Sequence, residues 1–480
     1  MQLQVRHTFA WNHHLPTTSG RWRRFAVGLL GGLVLLPFCS AHAFEFKAGT
    51  GRADIRPKEP VPLAGYAARS GCFTRIEERI WAKALALQDT SGSTTLIVTA
   101  DTIGTPRWFN DALAERVAKE LGVPRERFLF AGSHCHSTPV VKGGLEIMYT
   151  LKQGEAEAVD RYAALFLEQS FAAAQAALTN LQPVTLAFGR GEAHFAINRR
   201  QFGKTTVGIG LNPTGLVDND VPVLRVEGTN GSPVAVVFGY ACHCTTQGAT
   251  YDLGGDWAGY AQECLERAYP GATALFMTGC GADANPNPRN NQKYVPQHGL
   301  ALAGAVARVL NDPMQPVDGP IRAAFDHADL PFAPMPARAY FEAKLTNSDP
   351  VFVRFGRKFL GMMDRGEALP KTYPCPVQVL RFGKDLTLVA LGGEVVVDYS
   401  YRLRRELASE RLWAAAYCND VFAYVPSMRI LIEGGYEADT NLIYYGLPTR
   451  FAPEVEDTLV KKVLELARRT KGAEVANGAK

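Results

Sequence analysis

The sequence predicts an α/β fold in which helices flank the strands of one large domain. Short apolar runs rich in β-branched residues alternate with helical patterns along most of the chain. This alternation favours the α/β class over separate all-α and all-β modules. Of the 480 residues, 47% are hydrophobic and 20% are charged, as in ordinary globular proteins. The composition excludes disordered, collagen-like and coiled-coil chains.

The elements follow from alternation in strands and from a repeat of 3.6 residues in helices. The predicted strands cover residues 94–100, 127–131, 184–188, 221–226, 234–240, 272–277, 377–381, 386–391 and 413–417. The predicted helices cover residues 111–121, 155–178, 257–268, 298–310, 395–408 and 454–468. Six prolines between residues 313 and 336 break the pattern, so we predict an insertion or lid over 312–372. Residues 472–480 are predicted to be a frayed tail.

The N-terminal segment has the pattern of a secretory signal peptide. Arginines between residues 21 and 24 precede an apolar stretch over 25–38, and a small-x-small cleavage motif ends at Ala43. We predict a signal peptide over residues 1–43, a mature domain over 44–471, and export to the periplasm or the medium. The apolar stretch is shorter than the roughly 20 residues that span hydrocarbon, so no transmembrane segment is predicted in the mature chain.

Charge and cysteine content limit the possible partners and crosslinks. With 51 Lys and Arg against 47 Asp and Glu, the formal charge is only +4. A charge this small does not suggest a phosphate-backbone binder, so no nucleic-acid partner is predicted. Eight cysteines remain after the signal peptide, and in an exported chain we expect one or two disulfides among them.

Polar residues repeatedly follow the C-terminal ends of predicted strands. In α/β sheets the loops at these ends diverge and leave a crevice for ligands, so six loops are expected to face one cleft. The residues at these ends are Asp101, His134, His136, His243, Asp283, Asn285, Glu394 and Asn419.

Two histidine motifs indicate a metal site. In His134-Cys135-His136 an extended backbone puts both imidazoles on one side, and His243 is flanked by cysteines that point the other way. Neutral imidazoles with a carboxylate such as Glu394 suit Zn²⁺ with a position open for water, which the ion activates at neutral pH. Two alternatives stay open: the histidines lie at the surface or behind the ligands of a site without binding metal themselves, and Glu394 is only an acid favourable to a helix dipole.

The spaced motifs resemble the catalytic domain of the neutral/alkaline non-lysosomal ceramidases, zinc amidases that split ceramide into sphingosine and fatty acid. The resemblance spans residues 48 to 440 and does not include that family's C-terminal immunoglobulin-like domain. The motifs that carry it are Gly49-Thr50-Gly51-Arg52-Ala53-Asp54-Ile55, Ala64-Gly65-Tyr66-Ala67, Ser133-His134-Cys135-His136-Ser137-Thr138-Pro139, Ile197-Asn198-Arg199, Ala241-Cys242-His243, Gly255-Asp256, Gly259-Tyr260, Gly393-Glu394, Tyr424 and Tyr436-Glu437.

This resemblance implies a large catalytic domain with mixed sheets flanked by helices, and a set of site residues. It implies that zinc is held by His134, His243, Glu394 and Tyr424. It also implies that Arg199 and Tyr436 donate hydrogen bonds to the developing oxyanion. His136 is implied to transfer a proton or to orient the reacting groups, and Asp54 is implied to support the site residues from behind without touching the metal.

The sequence departs from the family at one position. The family has a serine linked to catalysis there, whereas this chain has Asn285. An amide is not a nucleophile, but it can donate a hydrogen bond if activated water attacks. We therefore predict an exported zinc hydrolase that cleaves the amide of ceramide or another N-acyl lipid and that makes transient contact with a membrane surface. The alternatives are a zinc hydrolase of another ester or phosphoester, and a binding protein that has lost catalysis.

Overall fold

The computed structural model describes residues 46–408 and 411–471. The predicted signal peptide and the predicted tail over 472–480 lie outside the described residues. Extended segments alternate with helices along this part of the chain. The strands are β1 (Phe46–Asp54), β2 (Arg75–Ile76), β3 (Trp81–Gln88), β4 (Thr94–Ala100), β5 (Phe128–Gly132), β6 (Gln182–Glu192), β7 (Ala196–Phe202), β8 (Val207–Asn212), β9 (Asp220–Gly228), β10 (Pro233–Tyr240), β11 (Asp252–Leu253), β12 (Thr273–Thr278), β13 (Ala284–Pro286), β14 (Gln315–Val317), β15 (Ile321–Pro331), β16 (Thr372–Phe382), β17 (Leu386–Leu391), β18 (Glu394–Val395), β19 (Leu412–Ala415) and β20 (Tyr424–Val425).

The helices include every one that the sequence predicts. They are α1 (Arg107–Leu121), α2 (Gln153–Thr179), α3 (Asp256–Ala268), α4 (Val295–Asn311), α5 (Arg338–Lys344), α6 (Pro350–Asp364), α7 (Asp398–Leu407), α8 (Met428–Glu433), α9 (Asn441–Tyr445) and α10 (Val455–Thr470), with short 3₁₀ turns at Arg125–Arg127 and Gln292–Tyr294 and a π-helical turn at Tyr436–Thr440.

Two sheets form the centre of the fold. The larger has the order β12-β10-β9-β6-β1-β3-β4-β5, with β14 beside β6. Its strands are antiparallel except for the pairs β4–β5 and β10–β12, which are parallel. The smaller sheet has the order β15-β16-β17-β19, and in it β17 and β19 are parallel. Both sheets are therefore mixed, as predicted.

Alternate side chains of the strands join two different cores. On β3, Leu85 packs between the two sheets, whereas Ala84 and Ala86 face helices α1 and α2. On β17, Leu388 packs between the sheets, whereas Val389 faces α7 and α10. The sheets thus lie face to face with helices on their outer sides, which buries both faces of most strands. This arrangement confirms the predicted fold class of mixed sheets flanked by helices.

Strand β1 lies directly under helix α2 because it has glycines at the points of contact. A Cβ at Gly51 would lie 2.1 Å from the carbonyl oxygen of Ala173, and a Cβ at Gly49 would lie 2.2 Å from that of Ala177. Only glycine allows the two backbones to approach so closely. The same glycines interrupt the apolar pattern, which is why the sequence did not predict this strand.

The region predicted as an insertion or lid has two parts. Strand β15 lies within it and pairs with β16 along its whole length, so residues 321–331 belong to the smaller sheet. Helices α5 and α6 follow and share an apolar cluster around Phe341 and Phe355. A lid role for residues 312–372 stays a prediction.

Two expectations about the whole chain concern membranes and thiols. In residues 46–408 and 411–471, no helix has the length and hydropathy needed to cross a bilayer. All eight cysteines of the described part are free thiols, so the expectation of one or two disulfides among them is wrong. Six of the eight are buried, and they pack as small apolar side chains.

Candidate metal centre

Three predicted ligands lie shortly after strands that belong to parallel pairs. His134 follows β5, His243 follows β10, and Glu394 follows β17. All three side chains are buried, with at most 3% of any side chain exposed. His134 has φ +54°, a left-handed conformation that costs a non-glycine residue about 1–2 kcal/mol and that recurs at active sites.

The fourth predicted ligand, Tyr424, lies beside Glu394 because two short strands pair. Strands β18 and β20 are parallel, and Glu394 and Tyr424 are register partners. Paired residues of adjacent strands project to the same face, so the carboxylate and the phenol are presented together. The two residues are 30 positions apart in sequence, which explains why spacing alone does not connect them.

Backbone carbonyls fix the tautomers of both histidines. Nδ1 of His134 lies 2.7 Å from the carbonyl oxygen of Ile103, and Nδ1 of His243 lies 3.1 Å from that of Gly281. A carbonyl oxygen only accepts, so each Nδ1 carries the proton and donates it. Each Nε2 is then left with a free lone pair, which is the form that binds a metal.

These lone pairs converge with other acceptor atoms. Glu394 Oε2 lies 3.0 Å from His134 Nε2 and 3.3 Å from His243 Nε2, and the Tyr424 hydroxyl lies 3.1 Å from His243 Nε2. Four ligands at about 2.1 Å from one tetrahedral ion lie about 3.4 Å apart, close to these spacings. A carboxylate oxygen facing two imidazole lone pairs has no proton to share. The donor set therefore fits a divalent cation.

Ionisation of the ligands agrees with this arrangement. Burial alone would raise the pKa of Glu394, and only positive charge and hydrogen-bond donors at His134 and His243 would bring it well below its usual value. With both imidazoles neutral and their lone pairs facing the carboxylate, a cation would have to supply that positive charge. Burial raises the pKa of the Tyr424 phenol well above its usual value, although nearby Arg199 opposes the shift. Phenolate ligation consequently needs the additional charge of a cation.

His136 completes a group of three imidazoles. Its ring nitrogen, with those of His134 and His243, belongs to a set of atoms that all lie within 4.8 Å of one another. His136 Nε2 is 3.3 Å from His134 Nε2, and the ring meets that of Tyr66 edge-on. Burial, followed by the charges of His134 and His243, holds the pKa of His136 well below its usual value. The imidazole is therefore neutral at pH 7.

Arg199 reaches the same group from strand β7. It donates from Nε to Glu437 at 2.8 Å, and its two terminal nitrogens lie 3.0 Å from His243 Nε2 and from the Tyr424 hydroxyl. The guanidinium is buried and its charge is balanced by Glu437. Asp283, which precedes β13, helps to hold β7 in place: its carboxylate accepts from the Asn198 side chain at 3.1 Å, and its carbonyl oxygen accepts from the Arg199 amide at 2.8 Å.

A cavity of about 190 Å³ lies next to these residues. The predicted catalytic residues His136, Arg199, Tyr436 and Asn285 all line it, together with Tyr424. The remaining lining residues are Gly65, Tyr66, Ala67, Met148, Ile209, Thr245, Arg289 and Tyr444.

Three residues at the centre were not predicted. The Tyr445 hydroxyl donates to Glu394 Oε1 at 2.5 Å, and the Tyr417 ring packs on His134 with centroids 4.2 Å apart. Glu437 accepts from both Arg199 and Arg200. Only Glu437 had a sequence signal, as the acid next to Tyr436, because nothing local distinguishes Tyr417 or Tyr445 from other core tyrosines.

Several strand-end residues lie elsewhere. Asp54 binds Arg56 and does not contact the centre, so the implied supporting role is wrong. Asp101 accepts from the Trp81 amide and Gln262, and Asn419 bonds Gln378 and the Phe130 amide. These buried polar groups satisfy backbone and side-chain partners. The expectation that six loops face one cleft is therefore too broad.

Comparisons with known proteins agree with the fold and the motifs. The model of the neutral/alkaline non-lysosomal ceramidase N-terminal domain matches residues 46–308. Neutral ceramidase B of Dictyostelium discoideum is 26% identical over 279 residues, a match that covers 51% of this chain and 36% of that protein. The chain thus spans about a third of the length of this relative.

Two solved structures share the fold. Neutral ceramidase from Pseudomonas aeruginosa superposes with a TM-score of 0.70 at 19% identity, and a ceramidase complexed with C2 superposes with a TM-score of 0.68 at 18% identity. Each match covers 91% of this chain and 77% of the other. The family model matches more than half of the residues of this chain. The chain therefore belongs to the neutral/alkaline non-lysosomal ceramidase family.

Proposed function

We propose that this chain is an exported zinc-dependent hydrolase that cleaves the amide bond of ceramide or another N-acyl lipid. The observation that carries the proposal is the convergence of His134 Nε2, His243 Nε2, Glu394 Oε2 and the Tyr424 hydroxyl, four acceptor atoms with no proton between the imidazoles and the carboxylate. Family membership supports an amide as the bond that is cleaved.

In the proposed reaction, a bound zinc ion supplies Lewis acidity and activates water at neutral pH. Arg199 and Tyr436 line the cavity as hydrogen-bond donors, and they stabilise the negative charge that develops on the amide oxygen. Because His243 Nε2 cannot both ligate a metal and accept from Arg199, ligation frees that Arg199 N–H for the substrate.

Neutral His136 is the proposed proton carrier. Its low pKa keeps one ring nitrogen unprotonated, so it accepts the proton that the attacking water loses. It then returns a proton to the departing amine. Asn285 lines the same cavity and orients the substrate by hydrogen bonding, so serine is not needed at this position.

The proposal includes transient contact with a lipid surface through the β7–β8 hairpin. Phe202, Ile209 and Leu211, which we call the apolar hairpin surface, are each between 53% and 58% exposed. Ile209 also lines the cavity, so this surface continues into the site. Exposed apolar side chains around a cavity mouth are typical of sites that meet a partner or a lipid.

Metal analysis combined with an assay of released fatty acid tests the proposal. We expect one zinc per chain, turnover of a short-chain ceramide, and loss of both in His243→Ala. The matched control is His194→Ala, because His194 is exposed and pairs only with Glu192. Stoichiometric zinc with turnover of acyl esters but not amides would favour the ester hydrolase. Absence of metal, with activity unchanged in His243→Ala, would refute the zinc hypothesis and leave the binding protein.

A further inference from the structure

One wall of the cavity consists of polar side chains from three segments. Tyr66, Thr245, Asn285 and Arg289 line this side, which we call the polar wall. The segment that carries Thr245 is held to the segment that carries Asn285 and Arg289, because the backbone amide of Asn291 donates to the carbonyl oxygen of Thr246 at 3.0 Å. The cavity is also lined by Met148, Ile209 and Tyr444, which suit an acyl chain.

Arg289 in the polar wall has no counterion. Its Nε donates to the amide oxygen of Asn290 at 3.2 Å, and in the described part of the chain no carboxylate lies within the 4.0 Å of an ion pair. The cavity lining contains no Asp or Glu. Arg199, by contrast, is balanced by Glu437. The cavity therefore carries one uncompensated positive charge before any cation binds.

The polar wall also presents buried acceptors and hydroxyls without partners. Asn285 Oδ1, Thr245 Oγ1 and the Tyr66 hydroxyl have no hydrogen-bond partner among the described residues. Asn285 is 4% exposed and Thr245 is 3% exposed. Buried polar atoms are nearly always hydrogen-bonded in folded proteins, so unpartnered atoms that line a cavity indicate where a polar ligand binds.

We infer that the preferred substrates are N-acyl amides whose amine half carries an anionic group, such as the carboxylate of an N-acyl amino acid. This inference rests on the proposed amidase function. A guanidinium binds a carboxylate through two parallel hydrogen bonds, and Thr245 and Asn285 complete the polar wall around it. Ceramide has only hydroxyl groups on its amine half, so it leaves the charge of Arg289 unpaired. Hydrolysis of the preferred substrate adds water across the amide and releases a fatty acid and an amino acid.

Two substrates that differ only in charge test this inference. N-lauroylglycine carries a carboxylate, whereas N-lauroylglycinamide carries a neutral amide at the same place. Released laurate gives kcat/KM for each. We expect the wild-type protein to prefer N-lauroylglycine, and Arg289→Ala to lower the ratio of the two kcat/KM values by roughly ten- to a hundredfold. Arg289→Lys keeps the charge and should retain an intermediate ratio.

The ratio separates selectivity from folding. A variant that is merely less well folded loses both activities and keeps the ratio, and Arg405→Ala is the control because Arg405 is 75% exposed and does not line the cavity. An unchanged ratio in Arg289→Ala would overturn the inference. If the wild type cleaves neither compound, the amidase proposal fails, and calorimetry of both ligands then tests the charge selectivity by itself. Tighter binding of N-lauroylglycine that Arg289→Ala abolishes supports the selectivity. Equal binding of the two ligands refutes it.

Discussion

At the scale of residues, the candidate centre depends on groups that hold the ligands. The carbonyls of Ile103 and Gly281 set the protonation of the two imidazoles, and the Tyr445 hydroxyl holds one oxygen of Glu394. With Oε1 held, Oε2 is the oxygen that points to the histidines. Such outer partners fix the orientation of a ligand before the metal arrives, which lowers the cost of binding.

Tyr445→Phe removes only the hydroxyl that bonds Glu394. Burial raises the pKa of Tyr445, so it is a neutral donor in the native protein. We expect zinc affinity to fall about ten- to a hundredfold, the usual effect of losing an outer partner of a ligand. Competition with a zinc-binding dye measures the change. Tyr340→Phe, at an exposed position outside the centre, is the control. Equal zinc affinity in Tyr445→Phe and wild type would contradict this role.

Sequence reasoning found the residues that follow regular strands. It missed the residues that only the tertiary fold brings to the centre. His134, His243 and Glu394 stand just after apolar runs, and this position together with the two histidine motifs pointed to them. Tyr424 came only from the family resemblance. Tyr445 is 51 residues away from Glu394, and its role depends on how helix α9 packs, which no local pattern encodes.

At the scale of elements, His134, His243 and Glu394 each follow a strand that belongs to a parallel pair. Strands β5, β10 and β17 pair in parallel with β4, β12 and β19. Adjacent parallel strands end at the same edge, which leaves room for the loops between them. Most other pairs in the two sheets are antiparallel and lack this property. The strand-end argument therefore found the ligands at these edges but did not separate them from Asp101 and Asn419, which follow β4 and β19 of the same parallel pairs and lie elsewhere.

Gly51→Ala tests the close packing of strand β1 against helix α2. An added Cβ would lie 2.1 Å from the Ala173 carbonyl oxygen, so the helix must move away from the sheet. We expect the free energy of unfolding to fall by about 1–3 kcal/mol, the usual cost of overpacking, measured by urea denaturation. Gly154→Ala is the matched control in the first turn of α2, where nothing lies within 4 Å of the added atom. A stability loss no larger than that of the control would show that the contact is not tight.

Three of the strands that the sequence did not predict, β1, β7 and β8, share one physical reason. Strand β1 contains glycines, and β7 and β8 carry polar or exposed residues on much of their length. Their stability comes from neighbours rather than from their own apolar pattern. Propensity is a weak guide for such strands, because packing partners decide the outcome. The small sheet that positions Arg199 was for this reason absent from the prediction.

At the scale of the whole molecule, the β7–β8 hairpin links the centre to the surface. Arg199 lies on β7 beside the predicted ligands. On the same hairpin, Ile209 and Leu211 of the apolar hairpin surface lie on β8, level with this part of β7, and Phe202 lies at the end of β7 toward the turn. A lipid that partitions onto this surface would reach the cavity at Ile209 without crossing bulk water. We propose on this basis that the substrate is presented by a membrane or micelle.

Binding to phosphatidylcholine vesicles tests this last step. In the double variant Phe202→Ser and Leu211→Ser, two partly exposed apolar side chains are lost, each contributing about 1 kcal/mol when buried in lipid. We expect the fraction that cosediments with vesicles to correspond to a partition coefficient at least roughly tenfold lower. Leu300→Ser with Leu345→Ser, at exposed positions on α4 and beyond α5, removes similar apolar area elsewhere. If that control pair weakens vesicle binding as much as the hairpin pair, lipid contact is not specific to the hairpin.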